Sequence, residues 1–319
     1  MIKIENLSRH FGQLRAVDGI SFCLQDREIL GFLGPNGAGK TTTLRMLVGY
    51  LQPSSGSISL DGESIFADPL KTSRQIGYLP EHNPLYEEMN VDEALEYFAE
   101  LRKMPKDKFT ERRDYVVQNC GLTDVLPQKI GTLSKGYRQR TGLALAILHD
   151  PRILILDEPT SGLDPNQILE IRDLIRKLGK EKMVILSSHI MQEVQALCDR
   201  VVIINKGKII VDDLIGNLPR YLNKGISLKL VLKGEEVDFS DFRAEHPDLD
   251  LQLNQEGELY ELTINSQDEQ DIRLELAAFI NKHNWLTLEM HTQQQSLEDI
   301  FHELTGEAKV LSAEKEETP

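Results

Sequence analysis

Apolar and polar positions alternate at the start of the chain, Ile2-Lys3-Ile4-Glu5, which predicts a strand with one buried face. Further on, the pattern changes from alternating to continuous. Residues 28–34, 152–156 and 183–187 are short, largely apolar runs, the mark of strands covered on both faces. Helices are expected between them. One covers 41–51, directly after the first run, and another covers 167–178, between the second and third. Strand, helix and strand in succession imply parallel pairing, because only a crossover returns the chain in the same direction. Residues 90–103 also read as helix, with Asn90 as cap and Glu93 three residues later. Residues 55–62 read as a strand between turns. The strands 201–204 and 208–211 flank Asn205-Lys206-Gly207, a hairpin signal.

Gly216, Pro219 and Gly225 cluster where this pattern ends, and a boundary is expected there. The expected layout is an α/β domain over 1–215, a linker over 216–224, a small α+β domain over 225–306 and a disordered acidic tail over 307–319. Within the second domain, strands are expected at 227–232, 259–264 and 286–291. Helices are expected at 269–282 and 297–304, the latter capped by Ser296 with Asp299 three residues on.

The chain has 319 residues, of which 40% are hydrophobic, enough for about two domains with buried cores. Residues 225–319 carry 22 of the 51 acidic side chains but only 7 of the 36 Lys and Arg, so the whole net charge of −15 lies there. An acidic excess opposes contact with a phosphate backbone, and a nucleic-acid partner is not expected. No apolar run approaches the roughly 20 residues of a spanning helix. The first residues lack the basic and apolar segments of a signal peptide. Cys23, Cys120 and Cys198 form no CxxC pair and read as small buried residues in a reducing compartment. A cytoplasmic location is therefore expected.

Two segments carry chemistry on their own terms. Gly34-Pro35-Asn36-Gly37-Ala38-Gly39-Lys40-Thr41 matches G-x-x-x-x-G-K-[ST], with a buried strand before it and a helix after it. Its glycines let backbone N–H groups converge on phosphate oxygens, and the helix N-terminus adds positive potential. In such a loop Lys40 holds the β- and γ-phosphates and Thr41 places its hydroxyl on Mg²⁺, with Thr42 beside it. The second segment, Ile153-Leu154-Ile155-Leu156-Asp157-Glu158, ends a buried strand in two carboxylates, at the strand end where ligands bind in open α/β sheets. Asp157 is expected in the Mg²⁺ shell. Glu158 is expected to orient or deprotonate the attacking water.

Between them lies Leu133-Ser134-Lys135-Gly136-Tyr137-Arg138-Gln139-Arg140. This segment resembles the signature of ABC ATPases, usually Leu-Ser-Gly-Gly-Gln, with Lys135 and Tyr137 as departures. The resemblance covers residues 1 to about 213 and implies a P-loop NTPase: a RecA-like core, an antiparallel β subdomain and a helical ABC subdomain. It also implies that Ser134, Lys135 and Gly136 face the nucleotide of an opposite subunit. Ser134 further reads as the cap of the helix that follows. Ser161-Gly162-Leu163-Asp164 resembles the D-loop, which brings Asp164 toward the dimer interface. His189 resembles the switch histidine at the γ-phosphate. Phe11, 23 residues before Gly34, resembles the aromatic that stacks on adenine, although taken alone it reads as core. Glu81 stands where the family usually has Gln. It can bind Mg²⁺ through oxygen but adds a negative charge.

Segments 78–86 and 133–140, and Ser296-Leu297-Glu298-Asp299-Ile300-Phe301, are similar to the bacterial ABC-2 exporter branch, nearest to the ATPase associated with gliding motility. The resemblance implies ATP and Mg²⁺ as cofactors, a separate ABC-2-type membrane permease as partner, and a location at the inner face of the cell membrane. One phosphate loop and one signature per chain imply a homodimer that closes on ATP. The helical stretch 86–140 is expected to meet the permease through Tyr86, Met89 and Phe98. Two other functions fit the same motifs: a non-transporting mechanical coupler of a membrane complex, and a soluble ABC ATPase.

Overall fold

The computed structural model describes residues 1–221, 227–235, 237–265, 272–293, 298, 301 and 305. The chain forms two compact units, Met1–Ile215 and Gly216–Pro319.

The first unit runs β1 (Ile2–Phe11), β2 (Leu14–Leu24), β3 (Ile29–Leu33), α1 (Lys40–Leu47), β4 (Ser55–Leu60), β5 (Glu63–Ser64), α2 (Pro69–Gln75) and β6 (Ile76–Leu79). It continues through α3 (Val91–Leu101), α4 (Lys106–Asn119), α5 (Lys135–Ile147), β7 (Ile153–Asp157), α6 (Pro165–Gly179), β8 (Met183–Ser188), α7 (Met191–Leu197), β9 (Arg200–Asn205) and β10 (Lys208–Leu214). Strands β2-β1-β4-β5 make an antiparallel sheet. Strands β10-β9-β3-β8-β7-β6 make a second sheet, parallel except at the β10 edge. Every residue of β3, β7 and β8 is buried, as their continuous apolar runs require. Phe22 of β2 stacks on Phe32 of β3 at 5.5 Å and joins the cores of the two sheets. Burying such a side chain stabilises the unit by about 1.5–3 kcal/mol.

Local signals act where they were read. Asn90 and Glu93 form both halves of a capping box on α3. Lys206 and Gly207, with φ of 48° and 79°, turn β9 into β10 as a two-residue hairpin of primed type. Other boundaries differ from expectation. β1 extends to Phe11 rather than stopping at Glu5, because Asn6 at φ 48° shifts the register and breaks the period-two pattern. α1 ends at Leu47 rather than at 51, because Gly49 turns at φ 75° and donates to Met46 O. Of the three register shifts between β1 and β2, two place the extra residue in β2 and hide its alternation in the sequence.

The second unit contains β11 (Ser227–Lys233), α8 (Ser240–Glu245), β12 (Asp250–Glu256), β13 (Leu259–Asn265), α9 (Arg273–Lys282) and β14 (Leu286–Gln293). Its antiparallel sheet has the order β12-β13-β11-β14. Leu228, Leu230, Leu262, Ile264, Phe242 and Leu276 are central to its core. β12 and α8 are additions to the sequence expectation. The expected linker begins as a 3₁₀ helix, Ile215–Tyr221. Its remainder, residues 269–271, most of the helix 297–304 with its Ser296 cap, and the tail 307–319 lie outside the described residues. Among the described residues no helix is long and apolar enough to cross a membrane.

Candidate nucleotide site

The site lies at the carboxyl ends of β3, β7 and β8. The loop from Gly34 to Gly39 leaves β3 and enters α1. Gly37 and Gly39 take φ of 78° and 110°, the left-handed region that side chains disfavour. At Gly39 a Cβ would also sit 2.4 Å from Ala16 O, so the loop packs directly on the backbone of β2. Lys40, at the start of α1, is buried. Its ammonium donates to Gly34 O at 2.6 Å and Pro35 O at 3.3 Å.

Parallel pairing of β7 with β8 sets Asp157 opposite Ser187. Ser187 Oγ donates to Asp157 Oδ1 at 2.6 Å and accepts the Glu158 N–H at 3.1 Å. Thr41 Oγ1 donates to the same Asp157 oxygen at 3.4 Å. Asp157 Oδ2 is buried without a hydrogen-bond partner among the described residues. A buried hard oxygen with unused lone pairs, one hydroxyl away from the phosphate loop, fits a Mg²⁺ ligand set. Burial pushes the Asp157 carboxyl above its ordinary range, while hydrogen bonds from Ser187 and Thr41 pull it back.

Glu158 takes φ of 50°, a left-handed conformation that turns its carboxyl toward Lys40. Its Oε1 lies 3.6 Å from Lys40 Nζ, and its Oε2 lies 2.9 Å from His189 Nδ1. Burial raises this carboxyl too, against the opposing pull of His189 and Lys40. His189 follows β8 and is half-exposed. A cleft of about 770 Å³ opens over these groups. Lys40, Thr41, Thr42, Glu81, Glu158 and His189 line it, as do Pro35, Asn36, Gly37 and Gly39 of the loop. Phe11 lines it as well. At 46% exposed it is not the core residue it resembles in isolation. The turn between β1 and β2 presents it, and the Arg9 guanidinium sits over its ring, 4.7 Å from the centroid. Gly34 contributes the carbonyl under Lys40, and Ala38 is buried against the core.

The remaining predicted residues lie elsewhere. Ser134 caps α5, accepting from the Tyr137 N–H at 3.3 Å. Gly136 packs so closely on Gln167 that a Cβ would meet its side chain at 2.3 Å. Lys135 lines a neighbouring cleft of about 440 Å³ with Glu81 and Ser161. Asp164 caps α6 through the Gln167 N–H at 3.0 Å. None of these four lines the cleft over Lys40. Sequence reasoning missed Ser187, Arg15 and Lys206, the last two also in the cleft wall. The pair Ser187-Ser188 closing an apolar strand was the available signal for Ser187.

A phosphate loop, a strand-end Asp-Glu pair and a histidine from the next strand, around one cleft, define an ATP-binding P-loop NTPase of the ABC type. Residues 17–161 match the ABC transporter family model. The chain is 38% identical over 317 residues to the ABC transporter ATP-binding protein YhcH of Bacillus subtilis, covering 97% of each chain. It is 35% identical over 319 residues to the bacitracin transport ATP-binding protein BcrA of Bacillus licheniformis, covering 96% of this chain and 97% of that one. The solved structure of an ATP-binding subunit of an ABC transporter superposes with a TM-score of 0.64 at 28% identity, covering 69% of this chain and 92% of that one. This chain belongs to the family of ABC transporter ATP-binding proteins.

Proposed function

We propose that this chain is the ATP-hydrolysing subunit of an ABC-2-type exporter, a homodimer that closes on ATP and drives a separate membrane permease. The observation that carries the reading is the convergence of Lys40, Glu158 and His189 within 3.6 Å contacts on one wall of a cleft whose rim bears Phe11. Phe11 stacks on the adenine. The loop N–H groups, Lys40 and the N-terminus of α1 take the phosphates. Glu158, held between a cation and an imidazole, orients the attacking water and accepts its proton, and His189 steadies both Glu158 and the γ-phosphate. Thr41 and Asp157 would hold Mg²⁺, with Glu81 at the rim, and the ion supplies positive charge against the phosphate oxygens.

Ser134, Lys135, Gly136 and Asp164 stand away from this chain's own phosphate loop. That supports their completing the site of a second copy, two such sites being related by a two-fold axis. A mainly apolar groove of about 460 Å³ beside Glu81 suits a permease segment, with Tyr50, Tyr78, Leu85, Phe98 and Leu145 in its lining. Tyr86, 52% exposed, packs edge-on against Tyr97, which in turn meets Phe98 of the lining, and Met89 is half-buried nearby in sequence. Nearly full-length similarity to a protein named for bacitracin transport supports a role in transport, at the inner face of the cell membrane. The likeness of 78–86 and 133–140 to the gliding-motility-associated ATPase supports that finer type.

The test is co-purification. The Glu158→Gln variant, tagged and extracted from host membranes in mild detergent with ATP, binds nucleotide but turns it over slowly. Recovery of a polytopic membrane protein with the ATPase is expected. Recovery of the ATPase alone, or of ribosomes, overturns the membrane assignment.

A further inference from the structure

Hydrolysis at Glu158 depends on two loops, one after β7 and one after β8, each holding one partner of the Glu158–His189 contact. Holding a loop in one conformation costs chain entropy, so something must over-determine these two. Glu193, in the first turn of α7, is 4% exposed. Its Oε1 accepts from Thr160 Oγ1 at 2.7 Å, and its Oε2 accepts from Ser188 Oγ at 2.8 Å. Thr160 lies two residues after Glu158, and Ser188 lies one before His189. Both hydroxyl residues are buried. Ser188 Oγ also accepts the Ile190 N–H at 3.0 Å, which fixes the chain on the far side of His189.

With the 2.9 Å contact between His189 and Glu158, these bonds close a ring through both loops. The same helix otherwise buries Met191, Val194 and Leu197. An apolar side chain would fill the place of Glu193 at less desolvation cost, unless the two hydrogen bonds are what the position provides. Glu193 does not line the nucleotide cleft.

We propose that Glu193 is a positioning residue for hydrolysis: its carboxyl ties Thr160 to Ser188 and so keeps Glu158 and His189 aligned. The proposal rests on the ATPase reading above. The test uses the full chain and steady-state ATP hydrolysis, with binding of a fluorescent ATP analogue as a second readout and thermal melting to confirm folding. Thr160→Val removes one arm of the bridge at nearly constant volume, and Glu193→Leu removes both. Each is expected to lower kcat by about 10- to 100-fold, the scale of a small misplacement of a reacting group. KM and analogue affinity are expected to stay within about two- to threefold. Glu193→Gln keeps one arm through its carbonyl and is expected to fall between wild type and Glu193→Leu. In a His189→Ala background, Thr160→Val is expected to lower kcat by less than it does alone, because the Glu158–His189 contact that the bridge maintains is already gone. A wild-type kcat for Thr160→Val, an effect confined to KM, or full multiplication with His189→Ala would overturn the proposal, even if Glu193→Leu fails to fold. A wild-type chain that neither binds nor hydrolyses ATP would instead sink the ATPase reading and this proposal with it.

Discussion

Ser187→Ala tests whether the strand register builds the environment of Asp157, the carboxylate proposed to face Mg²⁺. Ser187 and Asp157 are both fully buried, and the hydroxyl donates to Asp157 at 2.6 Å while accepting the Glu158 N–H. Without it, Asp157 retains only the 3.4 Å contact from Thr41, since its other oxygen has no partner among the described residues. A hydrogen bond to a charged group contributes about 1.5–3 kcal/mol, so a loss of about 2 kcal/mol is expected in protein held in EDTA. For a unit of this size that lowers Tm by about 4–8 °C. The pH dependence follows from the direction of the shift. Burial already holds the native Asp157 carboxyl above the 3.8 of a free aspartate, so its burial is least costly when protonated and stability falls as pH rises through the native value. Removing the Ser187 donor raises that native value further. The gap between variant and wild type should therefore be widest above both native values and should narrow as pH falls toward 3.8. Thermal melts at several pH values measure it. A variant melting within about 1 °C of wild type at alkaline pH, or a gap that widens in acid, would refute the reasoning.

Phe11→Ala should weaken ATP binding by about 1–3 kcal/mol, roughly 5- to 150-fold in Kd, and leave kcat at saturating ATP unchanged. An unchanged Kd would remove Phe11 from the site. His149 gives a second pH signature. Burial, helped by the Arg102 charge, lowers its imidazole from 6.5 to about 3, while one ring nitrogen stays bonded to Ile76 O. Its contribution is fully present above 6.5 and is lost as pH falls toward 3, because the unfolded chain takes up the proton first. Urea unfolding should show a loss of about 1.4 kcal/mol per pH unit in that window for wild type, absent in His149→Gln. Equal slopes would contradict the assignment.

Much of the site was legible because its signals are short-range. The glycines from 34 to 39, the Asp157-Glu158 pair at a strand end and the caps Asn90 and Ser134 depend on neighbours within four residues, and the backbone obeys those neighbours before any tertiary contact forms. Continuous apolar runs likewise announced β3, β7 and β8, because strands buried on both faces leave no polar positions. β1 beyond Glu5, β2 and β12 were harder. Bulges break the period of the first two, and Asp250–Glu256 is too polar for its alternating Leu251 and Leu253 to stand out.

The sequence by itself determined the loop chemistry, the order of the motifs and the alternation of strands and helices. Only the tertiary structure decided which distant groups meet. The β7–β8 register sets Ser187 under Asp157, 30 residues away. The turn between β1 and β2 carries Phe11 from an apparent core position to the rim of the cleft. α7 returns Glu193 to bridge Thr160 and Ser188, and Lys135 and Asp164 are kept out of the chain's own nucleotide cleft. The physical reason is that a motif records the conformation its own backbone needs. A hydrogen bond between loops records how two strands were laid side by side, and nothing local in either segment encodes that.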